Sequence, residues 1–229
     1  MAERVPEFAL LIGVFLGLSA TVSAAVLSGT LFRPLLFGAV VCYPFAAFGV
    51  LRSDDPSEAL PPRVVLGLGA AIGLLTATTA VLERATVEPL DGVFAAVVVS
   101  LPPVAYAVRF GADVNPLSPV QSLVCCAVVG TAFLAVAPRL GTVSALLGFV
   151  LGLSGALYAD ARGFRPTHRQ QRVGIASGAL VGVSVAGAGV AMRLPLGPTT
   201  AAAAALALTP SLFVALTRTR TRRHHRFRS

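Results

Sequence analysis

Along this chain apolar residues gather in eight runs, divided by short breaks that carry almost all of the charge. The runs are 8–30, 34–51, 64–82, 90–108, 120–137, 141–159, 173–192 and 199–216. Each approaches the ~20 predominantly apolar residues that one helix needs to cross a bilayer. The eighth is the weakest, because the alanines 201–205 add little hydrophobicity before Leu206, Leu208, Leu212 and Phe213 restore it. Charges are confined to the ends: Glu83, Asp91 and Asp160 stand at helix termini, where they read as interfacial caps or as partners of Arg84 and Arg162. A charge at the bilayer centre costs at least ~2.5–3.5 kcal/mol, so a proton- or ion-coupled carrier would keep one there. None is kept, which argues against such coupling.

Inside the runs small residues recur at spacings of four. Gly174, Gly178, Gly182 and Ala186 form one row, Gly148, Gly152 and Ala156 another, with Gly13 and Gly17, and Gly69 and Gly73, as shorter pairs. A spacing of four places them on one helix face, where the missing side chains let a second helix approach closely. Such rows predict helix-packing seams.

The breaks set orientation. With eight crossings, arginines fall fourteen on one side and four on the other. The rich side includes Arg162, Arg165, Arg169 and Arg172 in one loop, and Arg218, Arg220, Arg222, Arg223, Arg226 and Arg228 in the tail. The positive-inside rule then puts both termini in the cytoplasm of a multi-pass plasma-membrane protein. These arginines are expected to contact anionic headgroups of the inner leaflet. Val22-Ser23-Ala24 resembles a signal-peptidase site, but the apolar run continues past it, so the first run is expected to remain as a helix.

The expected fold is therefore all-α: a polytopic transmembrane bundle of about eight helices in four hairpins, one domain over 1–217, with a basic tail at 218–229. The lone outer arginines 33, 84, 139 and 193 and the closing arginines 52, 109, 162 and 218 recur at similar intervals, which reads as a parallel internal repeat of hairpins. Near the closing arginines stand helix breakers: Pro44, the pair Pro102 and Pro103, Ser154 with Gly155, and Pro210. They lie about 10–12 Å from the expected cytoplasmic end. Interrupted helices at matching depth mark either kinks or the level of a solute cavity.

Composition agrees and narrows function. Of 229 residues 55% are hydrophobic and 12% charged, and the mean hydropathy is +0.82; soluble domains carry about 25% charged residues. The net charge of +8 is accounted for by orientation, so no nucleic-acid partner is expected. All 18 basic residues are arginine, as in GC-rich prokaryotic coding. Cys42, Cys125 and Cys126 lie inside apolar runs and read as small packing residues, with no disulfide and no metal ligation expected.

The segment Gly152-Leu-Ser154-Gly155-Ala-Leu-Tyr158 resembles the Gly-x-Ser-Gly segment, with its following Tyr, of rhomboid intramembrane proteases. That resemblance implies a serine nucleophile activated by a His on another membrane helix. Here the histidines are His168, His224 and His225, all outside the runs, so no catalytic residue, cofactor or metal is expected. Two non-enzymatic readings follow. One is a structural or accessory subunit that packs on itself or a partner subunit through its glycine faces. The other is a permease for a small neutral or weakly polar solute held at the level of Pro44, Pro103, Ser154 and Pro210.

Overall fold

The computed structural model describes residues 5–53, 55–111 and 114–226, with side chains at all of these except 5–6, 59 and 218–226. Every regular element among them is a helix: α1 (Val5–Ser28), α2 (Phe32–Arg52), α3 (Pro56–Ala59), α4 (Pro62–Leu82), α5 (Pro89–Arg109), α6 (Pro119–Leu140), α7 (Thr142–Ala161), α8 (His168–Ala191) and α9 (Leu196–Arg226). Eight of these, all but α3, are long and apolar enough to cross a membrane. The protein is an integral membrane protein.

Prolines open several helices rather than ending them. Pro56, Pro62, Pro89 and Pro119 occupy first-turn positions, where an N–H would lack a partner in any case. Pro44, Pro102, Pro103 and Pro210, expected as breakers, lie within helices that continue through them. Gly141, at φ +96, is the only residue between α6 and α7, so Arg139 belongs to the last turn of α6. α7 and α8 both end in a Schellman turn. At the first, Gly163 N–H reaches Asp160 O and Phe164 N–H reaches Ala159 O. At the second, Arg193 holds the left-handed position, at φ 54.

The chain forms two compact units, 1–113 and 114–229. In the first, α1 packs along α2, and α4 along α5, with α2 also touching α4 and α5. The approach is antiparallel. A methyl group added at Gly13 would lie 2.5 Å from Phe45 Cβ, and one at Gly17 would lie 2.9 Å from Gly38 O. Between α4 and α5, Gly69 receives the Pro103 ring and Gly73 the Ser100 hydroxyl. Glu83 Oε1 accepts the N–H groups of Leu31 (2.6 Å) and Phe32 (3.1 Å), which caps α2 from the end of α4. Of the two roles the sequence offered Glu83, interfacial cap or partner of Arg84, it takes the cap, because the first turn of α2 presents unpaired donors.

In the second unit α6 packs along α7 and α8 along α9, while α9 also runs against α6 and α7. Its core is Leu134, Ala137, Ala145, Ala202 and Ala205, so the alanine stretch that looked weakest as a span forms the spine of the unit. In both units the inside is mostly small residues, with a few large ones such as Phe32 and Leu147, and most large apolar side chains are outside. Thr76, Ser144, Ala137, Ala159 and Ala202 are fully buried, whereas Leu27 and Leu51 are more than 80% exposed. Water would favour the reverse, whereas lipid solvates large apolar side chains and leaves helix association to close packing.

Candidate functional site

The second unit contains a partly open cavity of about 590 Å³, within the ~300–1,000 Å³ of small-molecule sites. It exists because four helices do not all close on one another at one end. α6 and α7 meet tightly where Gly130 and Gly148 face each other: a methyl at either would sit 2.8 or 2.5 Å from the other's carbonyl oxygen. α8 and α9 meet tightly at Gly178 and Gly182, where an added methyl would lie 2.7 Å from Leu206 O or 2.6 Å from Ala203 O. One turn on from each contact, toward the α7–α8 loop, the walls part. A methyl at Gly152 would find nothing nearer than Thr209 Cγ2 at 3.7 Å, and one at Gly174 nothing nearer than Pro210 Cβ at 4.0 Å.

Leu123, Ala127 and Thr131 of α6 line one side, and Ala156 of α7 continues it. Thr209, Pro210 and Phe213 of α9 line another, with Ser177 of α8 beside them. The wall is mostly apolar, and none of its residues is ionisable. The hydroxyls of Ser177 and Thr209 donate within their own helices, to Gly174 O (3.1 Å) and Ala205 O (2.6 Å). Thr131 is exposed, and among the described residues its hydroxyl makes no hydrogen bond.

The α7–α8 loop closes one end. After the Schellman turn at Gly163, Phe164 and Pro166 both face the cavity, and Arg165 between them pairs with Asp160 at 3.3 Å. The Asp160 side chain is 4% exposed and the guanidinium 69%, so the pair fixes a buried carboxylate at the loop's base. Thr167 then opens α8 with a reciprocal cap. Its hydroxyl accepts Gln170 N–H (3.3 Å), and Gln170 Oε1 accepts Thr167 N–H (2.8 Å). Gln171 Nε2 donates to Pro166 O at 3.2 Å, while its Oε1 is buried with no hydrogen-bond partner among the described residues.

The sequence-predicted residues divide accordingly. Pro210 lines the cavity, as do Gly148, Gly152, Gly174 and Gly178; Gly182 is wholly a packing contact, and Ala186 is half-buried. Pro44 and Pro102 are exposed, and Pro103 is buried on Gly69. Gly155 is buried against Cys126, and Ser154 is half-buried outside the cavity wall. Arg162 lies 5.7 Å over the Tyr158 ring, and Arg169 and Arg172 are exposed. The side chains of Arg218, Arg220, Arg222, Arg223 and Arg226, and all of Arg228, lie outside the described residues. The role of the loop in walling the cavity was not anticipated, although Phe164 is a lone Phe in the charged break between the runs 141–159 and 173–192.

A second recess of about 400 Å³ lies in the first unit beside Ser28, Arg33, Glu83 and Thr86. Its carboxylate is engaged in capping α2. Among the described residues no group of three His, Cys, Asp or Glu side chains could hold a metal. No family model matches the chain, and no curated protein or solved structure matches it either.

Proposed function

We propose that this is a non-catalytic membrane protein whose second unit takes up a small, mostly apolar guest, as a binding protein or permease. The observation that carries the reading is the cavity beside Gly152, Gly174 and Pro210, a void of ligand size next to the close contacts at Gly130, Gly148, Gly178 and Gly182. The uncharged wall suits a guest with little polarity and supplies neither base nor nucleophile pair. The arginine count supports a cytoplasmic side for its loop end. The accessory-subunit reading has less support, because the glycines it would use are spent within each unit: Gly13 and Gly17 on α2, Gly69 and Gly73 on α5, Gly178 and Gly182 on α9.

Ligand-dependent stabilisation tests the proposal. Purified protein is heated with a panel of mostly apolar compounds; a binder at 100 times its Kd stabilises by about 2.7 kcal/mol. Gly174→Leu, which fills the cavity, should abolish the shift while leaving the unliganded midpoint in place. A panel that shifts neither protein, or both alike, would overturn the reading. Uptake into proteoliposomes by the wild-type chain but not by Gly174→Leu then separates a permease from a binding protein.

A further inference from the structure

Resting on that reading, we infer that the guest carries an uncharged hydroxyl, held by a belt of Thr131, Ser177 and Thr209. These are the three hydroxyl side chains of the cavity wall, and they stand on three different helices. The contacts beside them place them at one level. A methyl at Gly130, next to Thr131, would lie 3.3 Å from Gly152 N, and one at Gly152 would lie 3.7 Å from Thr209 Cγ2. One at Gly178, next to Ser177, would lie 2.9 Å from Pro210 Cγ, and Pro210 adjoins Thr209.

The first unit shows what this level looks like without hydroxyls, because both units make the same helix contacts in the same register. A methyl at Gly17 would meet Gly38 O and Cys42, and one at Gly130 would meet Gly148 O and Gly152. Gly69 faces Pro103 as Gly178 faces Pro210, and Gly73 faces Ala96 O and Ser100 as Gly182 faces Ala203 O and Ala207. Counterparts thus lie 113 positions apart from α1 to α6 (130 − 17), 110 from α2 to α7 (148 − 38), 109 from α4 to α8 (178 − 69) and 107 from α5 to α9 (210 − 103). The same intervals carry Gly13 against Phe45 onto Cys126 against Gly155, and Ala80 against Gly92 onto Gly189 against Thr199. Gly17, Gly38, Gly69, Gly73 and Pro103 recur as the same residue types. The hydroxyls do not recur: Leu18, Leu68 and Pro102 stand where the second unit has Thr131, Ser177 and Thr209. Packing is shared by the two units, and the polar belt belongs to the one with the void.

The belt's chemistry selects the guest. Ser177 and Thr209 spend their protons on Gly174 O and Ala205 O, so toward the cavity they offer lone pairs. The Thr131 proton is uncommitted among the described residues. Acceptors with one free donor complement an alcohol, which gives one hydrogen bond and takes another. An ether would engage Thr131 alone, and a carboxylate would be desolvated with no cation in the wall.

The chain contains no tryptophan, so Phe164→Trp creates a single fluorophore in the cavity wall, with Leu123→Trp as a second position should the first variant fail to fold. In phosphatidylcholine nanodiscs each is titrated with a dibrominated long-chain alcohol, its methyl ether and the matching carboxylate, at known mole fractions in the bilayer so that partitioning cancels. Saturable quenching by the alcohol should be about tenfold tighter than by either of the others. Thr131→Val with Ser177→Ala and Thr209→Val should abolish that preference while both alcohol and ether still saturate. Thr131→Val alone, which breaks no hydrogen bond among the described residues, should weaken the preference if the triple variant fails to fold. Equal affinity for alcohol and ether in the parent, or a preference that survives loss of the hydroxyls, would overturn the belt; loss of saturation in Gly174→Leu would then leave the cavity reading standing. Tighter binding of the carboxylate would also overturn the belt. Absence of saturable quenching at both tryptophan positions would overturn both readings.

Discussion

Arg193 holds a left-handed backbone at φ 54 where α8 turns toward α9, with Leu194 N–H bonded to Gly189 O at 2.9 Å. That position normally belongs to glycine, and an L side chain there costs roughly 1–2 kcal/mol. Glycine would give back about 0.4–1 kcal/mol through its freer unfolded chain. Arg193→Gly should therefore stabilise the protein by about 0.5–1 kcal/mol, read as a raised midpoint in detergent. Asp55 presents a different residue-scale consequence. Its carboxylate accepts from the Ser57 hydroxyl (2.5 Å) and N–H (3.1 Å), and these bonds, the hydroxyl's foremost, hold its pKa below the usual carboxylate range. A lowered folded pKa stabilises above the unfolded value, near 3.9, and that contribution is lost as pH falls through the folded one. Amide protection factors at residues 57–60, corrected for the intrinsic pH dependence of exchange, should fall on acidification below about pH 4, and Asp55→Asn should flatten that dependence. The tie from the Tyr106 hydroxyl to Pro56 O (2.8 Å) and Leu60 O (2.7 Å) was not legible in the chain, because those partners lie about 50 residues apart.

Among the helices, two glycines of one row have opposite consequences. Gly182 meets the Ala203 carbonyl oxygen, which cannot move aside as a flexible side chain could, so Gly182→Ala should destabilise by about 1–3 kcal/mol. Gly174, two turns earlier, faces open space, and Gly174→Ala should be neutral or slightly stabilising. Thermal unfolding of the two variants side by side in detergent checks the contrast. Equal losses would mean that the cavity closes in the folded protein. A spacing of four identifies a face; only the neighbouring helix decides which turn of that face is filled. The prolines carry the same lesson. Their type and depth were legible, but Pro44 and Pro102 are exposed, Pro103 packs on Gly69, and only Pro210 meets the cavity.

For the molecule as a whole, the arginine distribution makes an orientation testable. In a background with Cys42, Cys125 and Cys126 replaced by alanine, Gly163→Cys should resist an impermeant maleimide in intact cells and react after lysis. Leu194→Cys should react in both. The reversed pattern would invert the proposed topology and place the cavity's loop end outside. Both units keep most large apolar side chains outward and mainly small ones inward, so extraction into a poorly shielding detergent should expose the helices to aggregation before it separates the glycine contacts.

Hydropathy determined the number of spans and their bounds to within a few residues, because a helix in lipid must satisfy its backbone alone and so announces itself by length. Spacing likewise determined which residues are small enough for close approach. Tertiary structure alone decided that Gly130 closes on Gly148 while a methyl at Gly152 or Gly174 would meet open space, that Ala202 and Ala205 form the spine, and that Phe164 walls a void. The physical reason is that a cavity is a property of the space between helices. Residues that pack and residues that line it can share the same types and spacing, and differ only in what stands opposite.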